Sequence, residues 1–139
     1  MAIKIQENVP LAPLTTFNIG GPAKYFAEVK SVEEIKEAIN TAHELKLPLI
    51  VLAGGSNVLV PDGGLNALVI SILLMDFKLN DNVLEAGAGC NLLSMIRKAS
   101  QAGCGGWENL AGIPGTIGGA IRGNAGAFGT EIKDFPMKI

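Results

Sequence analysis

The sequence predicts a mixed fold of strands and helices. Three observations carry that expectation: a strand, helix, strand unit in the first half, a second amphipathic helix after residue 90, and short strands joined by tight turns between them. Apolar residues make up 48% of the 139 residues and charged residues 17%, enough hydrophobic material to offset ordering of the backbone. A chain of this length suits one compact domain and is small for a complete enzyme holding both cofactor and substrate.

Each element has a local reason. Ala23 to Val29 is rich in strand formers. Ser31 can then cap a helix while Glu34 reaches back as a capping box. Val32, Ile35, Ile39, Ala42 and Leu45 recur at helical spacing until Pro48 stops the pattern, with Glu33, Lys36, Glu37, Asn40 and Glu44 on the other face. Leu49 to Ala53 is a continuous apolar run, expected to be a strand buried on both faces. Beyond Gly54-Gly55 the pattern changes to short strands: Val58 to Val60, a Pro61-Asp62-Gly63-Gly64 turn, Leu65 to Ile72, then Leu84 to Ala88. Asn91 is the expected cap of a helix from Leu92 to Ala102, with Leu92, Ile96 and Ala99 on its core face and Gly103 at its end.

Composition excludes several functions. The formal net charge is −2 and the eleven Lys and Arg are scattered, which argues against nucleic-acid binding. Residues Met1 to Asn8 lack the apolar core of a signal peptide, and the longest apolar stretch, Leu47 to Val60, is interrupted by Gly54-Gly55-Ser56-Asn57. The expectation is a cytoplasmic chain with no membrane association. Cys90, Cys104 and His43 supply no zinc-ligand spacing, so no metal site is expected. Both cysteines are expected to be small buried hydrophobes, and His43 a solvated residue at the helix edge. No nucleophile elbow or carboxylate orienter accompanies His43, so a hydrolase triad is not supported.

Two glycine-rich segments could carry chemistry. Gly54, Gly55, Ser56, Asn57, Val58 and Leu59 follow a strand, and the glycines can turn their amides inward as an anion nest. No Lys or Arg lies between Pro48 and Gly64, so a diphosphate there would be held by main-chain amides and the Ser56 and Asn57 side chains. A plain tight turn is the competing explanation. In the second segment, Gly112, Ile113, Pro114, Gly115 and Thr116 can open a short helix toward a ligand. There Gly118, Gly119 and Ala120 leave room beside that helix for a flat ring or a close strand, a ligand-free helix–strand crossing being the competing explanation. No Gly-Lys followed by Ser or Thr is present, which disfavours ATP or GTP hydrolysis. Gly87-Ala88-Gly89 begins like a dinucleotide fingerprint, but Leu92 replaces the third glycine.

Taken in order, Pro13-Leu14-Thr15-Thr16-Phe17-Asn18-Ile19-Gly20-Gly21-Pro22-Ala23, Ala53 to Val60 with Asp62-Gly63-Gly64, Gly112 to Ala120, and Asn124-Ala125-Gly126-Ala127-Phe128-Gly129 resemble the UDP-N-acetylenolpyruvoylglucosamine reductase family. The resemblance runs from about Val9 to Phe135. It implies an α+β, vanillyl-alcohol-oxidase or PCMH-type FAD-binding domain over 1–139. One small α+β subdomain would take about 1–72, and a partial second one 73–139. It also implies FAD as cofactor, NADPH as reductant in the complete enzyme, and reduction of an enolpyruvyl UDP-sugar to a peptidoglycan precursor.

By matching motif, the resemblance places Gly54, Gly55, Ser56, Asn57, Val58 and Leu59 around the FAD pyrophosphate. Gly112, Ile113, Pro114, Gly115, Thr116, Gly118 and Gly119 would line the dinucleotide and flavin, with Asn124, Ala125 and Gly126 completing the wall. The family continues well beyond the Pro136-Met137-Lys138-Ile139 ending, and its catalytic arginine, serine and glutamate fall in that later part. The expectations are therefore that the substrate domain is absent, that this chain alone is inactive, and that a complementary chain could carry the catalytic half, the alternatives being a non-catalytic FAD- or nucleotide-binding fragment or a different flavin oxidoreductase on the same scaffold. Arg122 lies outside the family's arginine motif and is expected to be structural or phosphate-contacting.

Overall fold

The computed structural model describes residues 3–136 and 138–139. Two compact units result, Met1–Leu74 and Met75–Ile139.

The first unit is built on a sheet of β1 (Gln6–Pro10), β2 (Pro22–Val29), β3 (Leu49–Leu52) and β4 (Leu65–Ile72), with α1 (Val32–Glu44) between β2 and β3. The order across the sheet is β1-β2-β4-β3, so β4 enters between the two strands that α1 connects. β2 and β3 run parallel to β4, and β1 runs antiparallel to β2. Alternation along the strands sends successive side chains to opposite faces. Ala27, Val29, Leu68 and Ile70 pack beneath Ala38 and Ala42 of α1. Phe26, Leu52 and Val69 pack on the other face with Leu11, Ala23 and Val60. Ala23 and Phe26 share that face because the β2 register shifts between Ala23 and Tyr25.

Several expectations are corrected here. The strand buried on both faces is β4, whose Ala67 to Ile70 are at most 1% exposed. β3 lies at the sheet edge with Val51 54% exposed. An apolar run does not reveal which strand obtains partners on both sides, and here the later, longer one does. On α1 the packed positions are Ile35, Ala38 and Ala42, while Val32, Ile39 and Leu45 are exposed. Small alanines let the helix approach the sheet closely. Ser31 caps α1 through the Glu34 amide at 3.1 Å, but the Glu34 carboxylate accepts from the Lys30 amide at 2.6 Å, so the reciprocal arm of the box falls one residue early. Val58 to Val60 form no strand. They cross the sheet face as a loop that buries Val60, and the Gly21 amide donates to the Pro61 carbonyl at 2.9 Å.

The second unit contains a hairpin of β5 (Phe77–Asn80) and β6 (Val83–Ala86), then α2 (Leu92–Gln101), α3 (Ile117–Gly123) and a short hairpin of β7 (Gly126–Ala127) and β8 (Thr130–Glu131). Asn91 caps α2, its Oδ1 accepting from the Ser94 amide at 2.9 Å. The buried face of α2 is Leu92, Met95, Ile96 and Ala99, one residue more than the sequence pattern supplied. Leu92 and Ile96 join Leu110, Ala120 and Ile132 in the core, with Trp107, Ile113 and Phe135 packed against it. The Lys98 ammonium lies 3.8 Å from the Phe77 ring centre, a favourable contact with the ring face. β6 ends at Ala86 rather than Ala88, because Gly87 to Cys90 form the turn into α2. Cys90 is buried as expected, but Cys104 is only half-buried: its thiol donates to the Asp81 carbonyl and to Asn82 Oδ1, each at 3.4 Å.

Candidate functional site

In the first unit the Gly54 to Leu59 loop leaves β3 and lies against the turn that follows β1. The Thr16 amide donates to the Gly55 carbonyl at 2.9 Å. Gly55 has φ +63, and a Cβ there would collide with the Leu14 carbonyl oxygen and press on Thr15 Cα. Thr15 is buried, its hydroxyl donating to the Ala12 carbonyl at 3.1 Å. The Ala12–Leu14 turn and Thr15-Thr16 are therefore the platform on which the loop rests. Glycine is required at 55 for close backbone approach and for a left-handed φ together.

The loop's amides face elsewhere. Among the described residues, none accepts a hydrogen bond from the main-chain amides of Gly54, Gly55, Asn57, Val58 or Leu59. These five amides are open to an acceptor from outside the loop. Gly54, Asn57, Val58 and Leu59 are exposed, with Leu59 71% exposed, while Ser56 is half-buried and Gly55 buried.

In the second unit the corresponding amides are divided. The Ile117 amide donates to Cys90 O at 2.8 Å, the Gly118 amide to Ala88 O at 2.9 Å, and the Gly119 amide to Thr116 Oγ1 at 3.2 Å. The first turn of α3 is thus consumed by the β6–α2 turn and its own cap. At Gly118 the space open in sequence terms is filled by Ala88. Gly112, Gly115 and Thr116 are left: among the described residues none accepts from their amides, and a Cβ at Gly112 would meet nothing within 4 Å. Ile113 packs in the core and Pro114 is exposed.

Asn124 ends α3 with φ +46, and Ala125 and Gly126 lead into the β7–β8 hairpin. The Asn124 Nδ2 donates to Glu131 Oε2 at 2.9 Å, and Oδ1 accepts from the Lys133 amide at 3.0 Å. Lys133 and Glu131 form an ion pair that, with the Asn124 bond, holds the Glu131 carboxyl below its ordinary range and Lys133 above its own. Arg122 is exposed and forms no ion pair among the described residues. Those residues contain no cluster of His, Cys, Asp or Glu fit for a metal ion, and no helix long and apolar enough to cross a membrane. Leu14, Thr15 and Ala88 carry the two glycine segments without having been nominated from sequence. Leu14 and Thr15 lay inside a matched motif; Ala88 lay in the Gly87-Ala88-Gly89 turn, but nothing along the chain placed it against Gly118.

Comparison with known proteins assigns the fold. Residues 23–135 match the model of the FAD binding domain family, and the chain belongs to that family, an α+β domain of PCMH type. More particularly, it is a homologue of UDP-N-acetylenolpyruvoylglucosamine reductase, corresponding to the amino-terminal FAD-binding part. It is 41% identical over 133 residues to the reductase of Lactobacillus delbrueckii subsp. bulgaricus, covering 95% of this chain and 45% of that protein. Against the reductase of Caldicellulosiruptor bescii it is 43% identical, covering 95% and 42%. The crystal structure of the Thermus caldophilus reductase superposes with a TM-score of 0.74 at 34% identity, over 93% of this chain and 45% of that one. CrmK, a flavoenzyme of caerulomycin biosynthesis, shares the fold at a TM-score of 0.57 and 18% identity, over 73% of this chain and 22% of that one. The chain spans a little under half the length of the curated relatives it matches.

Proposed function

We propose that this chain binds FAD and is the cofactor-holding part of an NADPH-linked reductase that converts an enolpyruvyl UDP-N-acetylglucosamine to UDP-N-acetylmuramate for peptidoglycan synthesis in the cytoplasm. The observation that carries the reading is the set of main-chain amides of Gly54, Gly55, Asn57, Val58 and Leu59 that have no acceptor among the described residues, in a loop free of Lys and Arg, within a chain of the FAD binding domain family. A diphosphate between two nucleoside halves suits that donor set: main-chain amides satisfy its oxygens without a neutralising side chain.

Gly54, Gly55, Ser56, Asn57, Val58 and Leu59 are assigned to the pyrophosphate. Gly112, Ile113, Pro114, Gly115 and Thr116 are assigned to the rest of the dinucleotide, with free amides at Gly112, Gly115 and Thr116. Gly118, Gly119, Asn124, Ala125 and Gly126 shape that wall. Bound FAD supplies hydride transfer, and the protein's share is holding and orienting it. No residue of this chain is assigned a catalytic role. Because the chain spans about 45% of its relatives, the proton donor and substrate contacts are assigned to the remainder of a complete enzyme or to a complementary chain.

The test is the absorbance spectrum of the purified chain with and without FAD, followed by titration. A protein-bound flavin spectrum with saturable binding supports the reading. Absence of binding by a cooperatively folded chain removes it.

A further inference from the structure

The three longer helices close in the same way. Each is followed by a residue of positive φ, Lys46 at +54°, Gly103 at +83° and Asn124 at +46°. In each case that residue's amide bonds a carbonyl three residues back: His43, Ser100 and Ile121. The next amide bonds the carbonyl five back: Ala42, Ala99 and Ala120. This closure favours glycine at the left-handed position, and α2 has it. α3 has Gly123 one place earlier but Asn124 in the strained position.

The Asn124 side chain supplies the reason. Nδ2 donates to Glu131 Oε2 at 2.9 Å and Oδ1 accepts from the Lys133 amide at 3.0 Å, while the Glu131 amide donates to Asp134 Oδ2 at 2.8 Å. Beside this, the Ile132 amide donates to the Ala125 carbonyl at 3.0 Å. Both polar ends of one amide therefore grip the strand that returns from the β7–β8 hairpin.

We propose that Asn124 is a positioning residue: its side chain clips the returning arm, Glu131 to Lys133, to the end of α3, and so sets the hairpin Gly126–Glu131 for cofactor binding without itself touching the ligand. The proposal rests on the flavin reading, in which this hairpin's first residues belong to the wall. It makes the arrangement of the arm, rather than a ligand hydrogen bond, the property that selects asparagine over glycine.

The test compares Asn124→Gly and Asn124→Asp with the unaltered chain, by hydrogen-exchange protection of amides 126–133 and by FAD titration at pH 5 and pH 8. Glycine keeps the left-handed turn and removes both bonds. Protection should fall roughly tenfold at both pH values, with FAD affinity falling by a similar factor. Aspartate keeps an acceptor for the Lys133 amide but sets a carboxylate against Glu131. The surrounding charges are Lys133, already paired with Glu131, and Asp134, bonded to the Glu131 amide. Glu108, in the turn packed against β7 and β8, is bonded to the Gly106 amide, and Arg122 on α3 is unpaired among the described residues. Asn124→Asp should therefore lose protection at pH 8 and regain it at pH 5, when a shared proton restores the bond; simple destabilisation of the unit would not reverse in this direction. Unchanged protection in Asn124→Gly, pH-independent Asn124→Asp, or lost protection with unaltered FAD affinity overturns the proposal. If the unaltered chain binds no FAD while protection changes as stated, the clip stands and the flavin reading falls.

Discussion

The Gly118 amide donates to the Ala88 carbonyl at 2.9 Å, and a Cβ at Gly118 would lie 2.8 Å from the Ala88 Cβ. This contact fastens the start of α3 to the turn that opens α2, which explains why a glycine-rich segment packs rather than wanders. Gly118→Val should destabilise the second unit by about 1–3 kcal/mol, the usual cost of overpacking. Trp107 is the chain's single tryptophan and sits in this unit against Phe135, with ring centres 6.3 Å apart. A denaturation curve followed by its fluorescence would report the loss directly; an unshifted midpoint would show that Ala88 can move aside.

Gly55→Ala should cost the first unit ~2 kcal/mol or more. The substitution strains a φ of +63 and drives a methyl into the Leu14 carbonyl, which cannot rotate away. FAD retention should be lost with it. Gly63→Ala is the matched control, because nothing lies within 4 Å of a Cβ there. Circular-dichroism melts of the two variants should separate clearly.

Gly112→Val reads the ligand apart from the fold. The site is open and the Gly112 amide has no partner among the described residues, so the Trp107 unfolding curve should shift by less than about 0.5 kcal/mol. FAD affinity should fall by roughly tenfold or more, since a side chain would occupy the assigned approach to the dinucleotide. Equal affinity in a flavin-fluorescence titration would take Gly112 out of the site.

Lys46→Gly should stabilise the first unit by about 0.5–1 kcal/mol. Lys46 pays for a left-handed φ of +54 at the end of α1, where glycine would carry no Cβ penalty. A higher urea midpoint with unchanged slope would confirm it.

The Glu131–Lys133 pair gives a pH dependence of defined sign. The Glu131 pKa is lowered by hydrogen bonds from Lys133 and Asn124, so its contribution is complete above the ordinary carboxylate range and is lost as pH falls through the lowered value. The Lys133 pKa is raised by Glu131, so its contribution is complete below the ordinary lysine range and is lost as pH rises through the raised value. Stability from the pair should be flat around neutrality and weaken at both ends. Both groups are exposed, so added salt should shrink the effect. Glu131→Gln should flatten the acid limb of melting temperature against pH, and an unaltered acid limb would exclude the pair as its source.

Much of the fold was legible in local chemistry. Ser31, Asn91 and Gly103 mark helix ends where side-chain or backbone geometry acts within a few residues, and each does so in the structure. The turn after β3 was legible as well: Gly54-Gly55 after an apolar run marks a sharp exit from a strand, and Gly55 makes it with φ +63. β1 and β5 were not anticipated, because Gln6–Pro10 and Phe77–Asn80 show no strong alternation and are strands through their partners β2 and β6.

The sequence by itself determined the strand, helix, strand unit, the second long helix, the Ser31 and Asn91 caps, the family and the positions of glycine, since all of these depend on neighbours along the chain. Tertiary structure alone decided that β4 and not β3 takes the centre of the sheet, that Ile35, Ala38 and Ala42 are the packed face of α1, and what each glycine serves. Gly55, Gly112 and Gly118 read alike in one dimension. One lies against the Leu14 carbonyl, one faces open space and one meets Ala88, because what a missing side chain permits is set by whatever the rest of the chain brings against it.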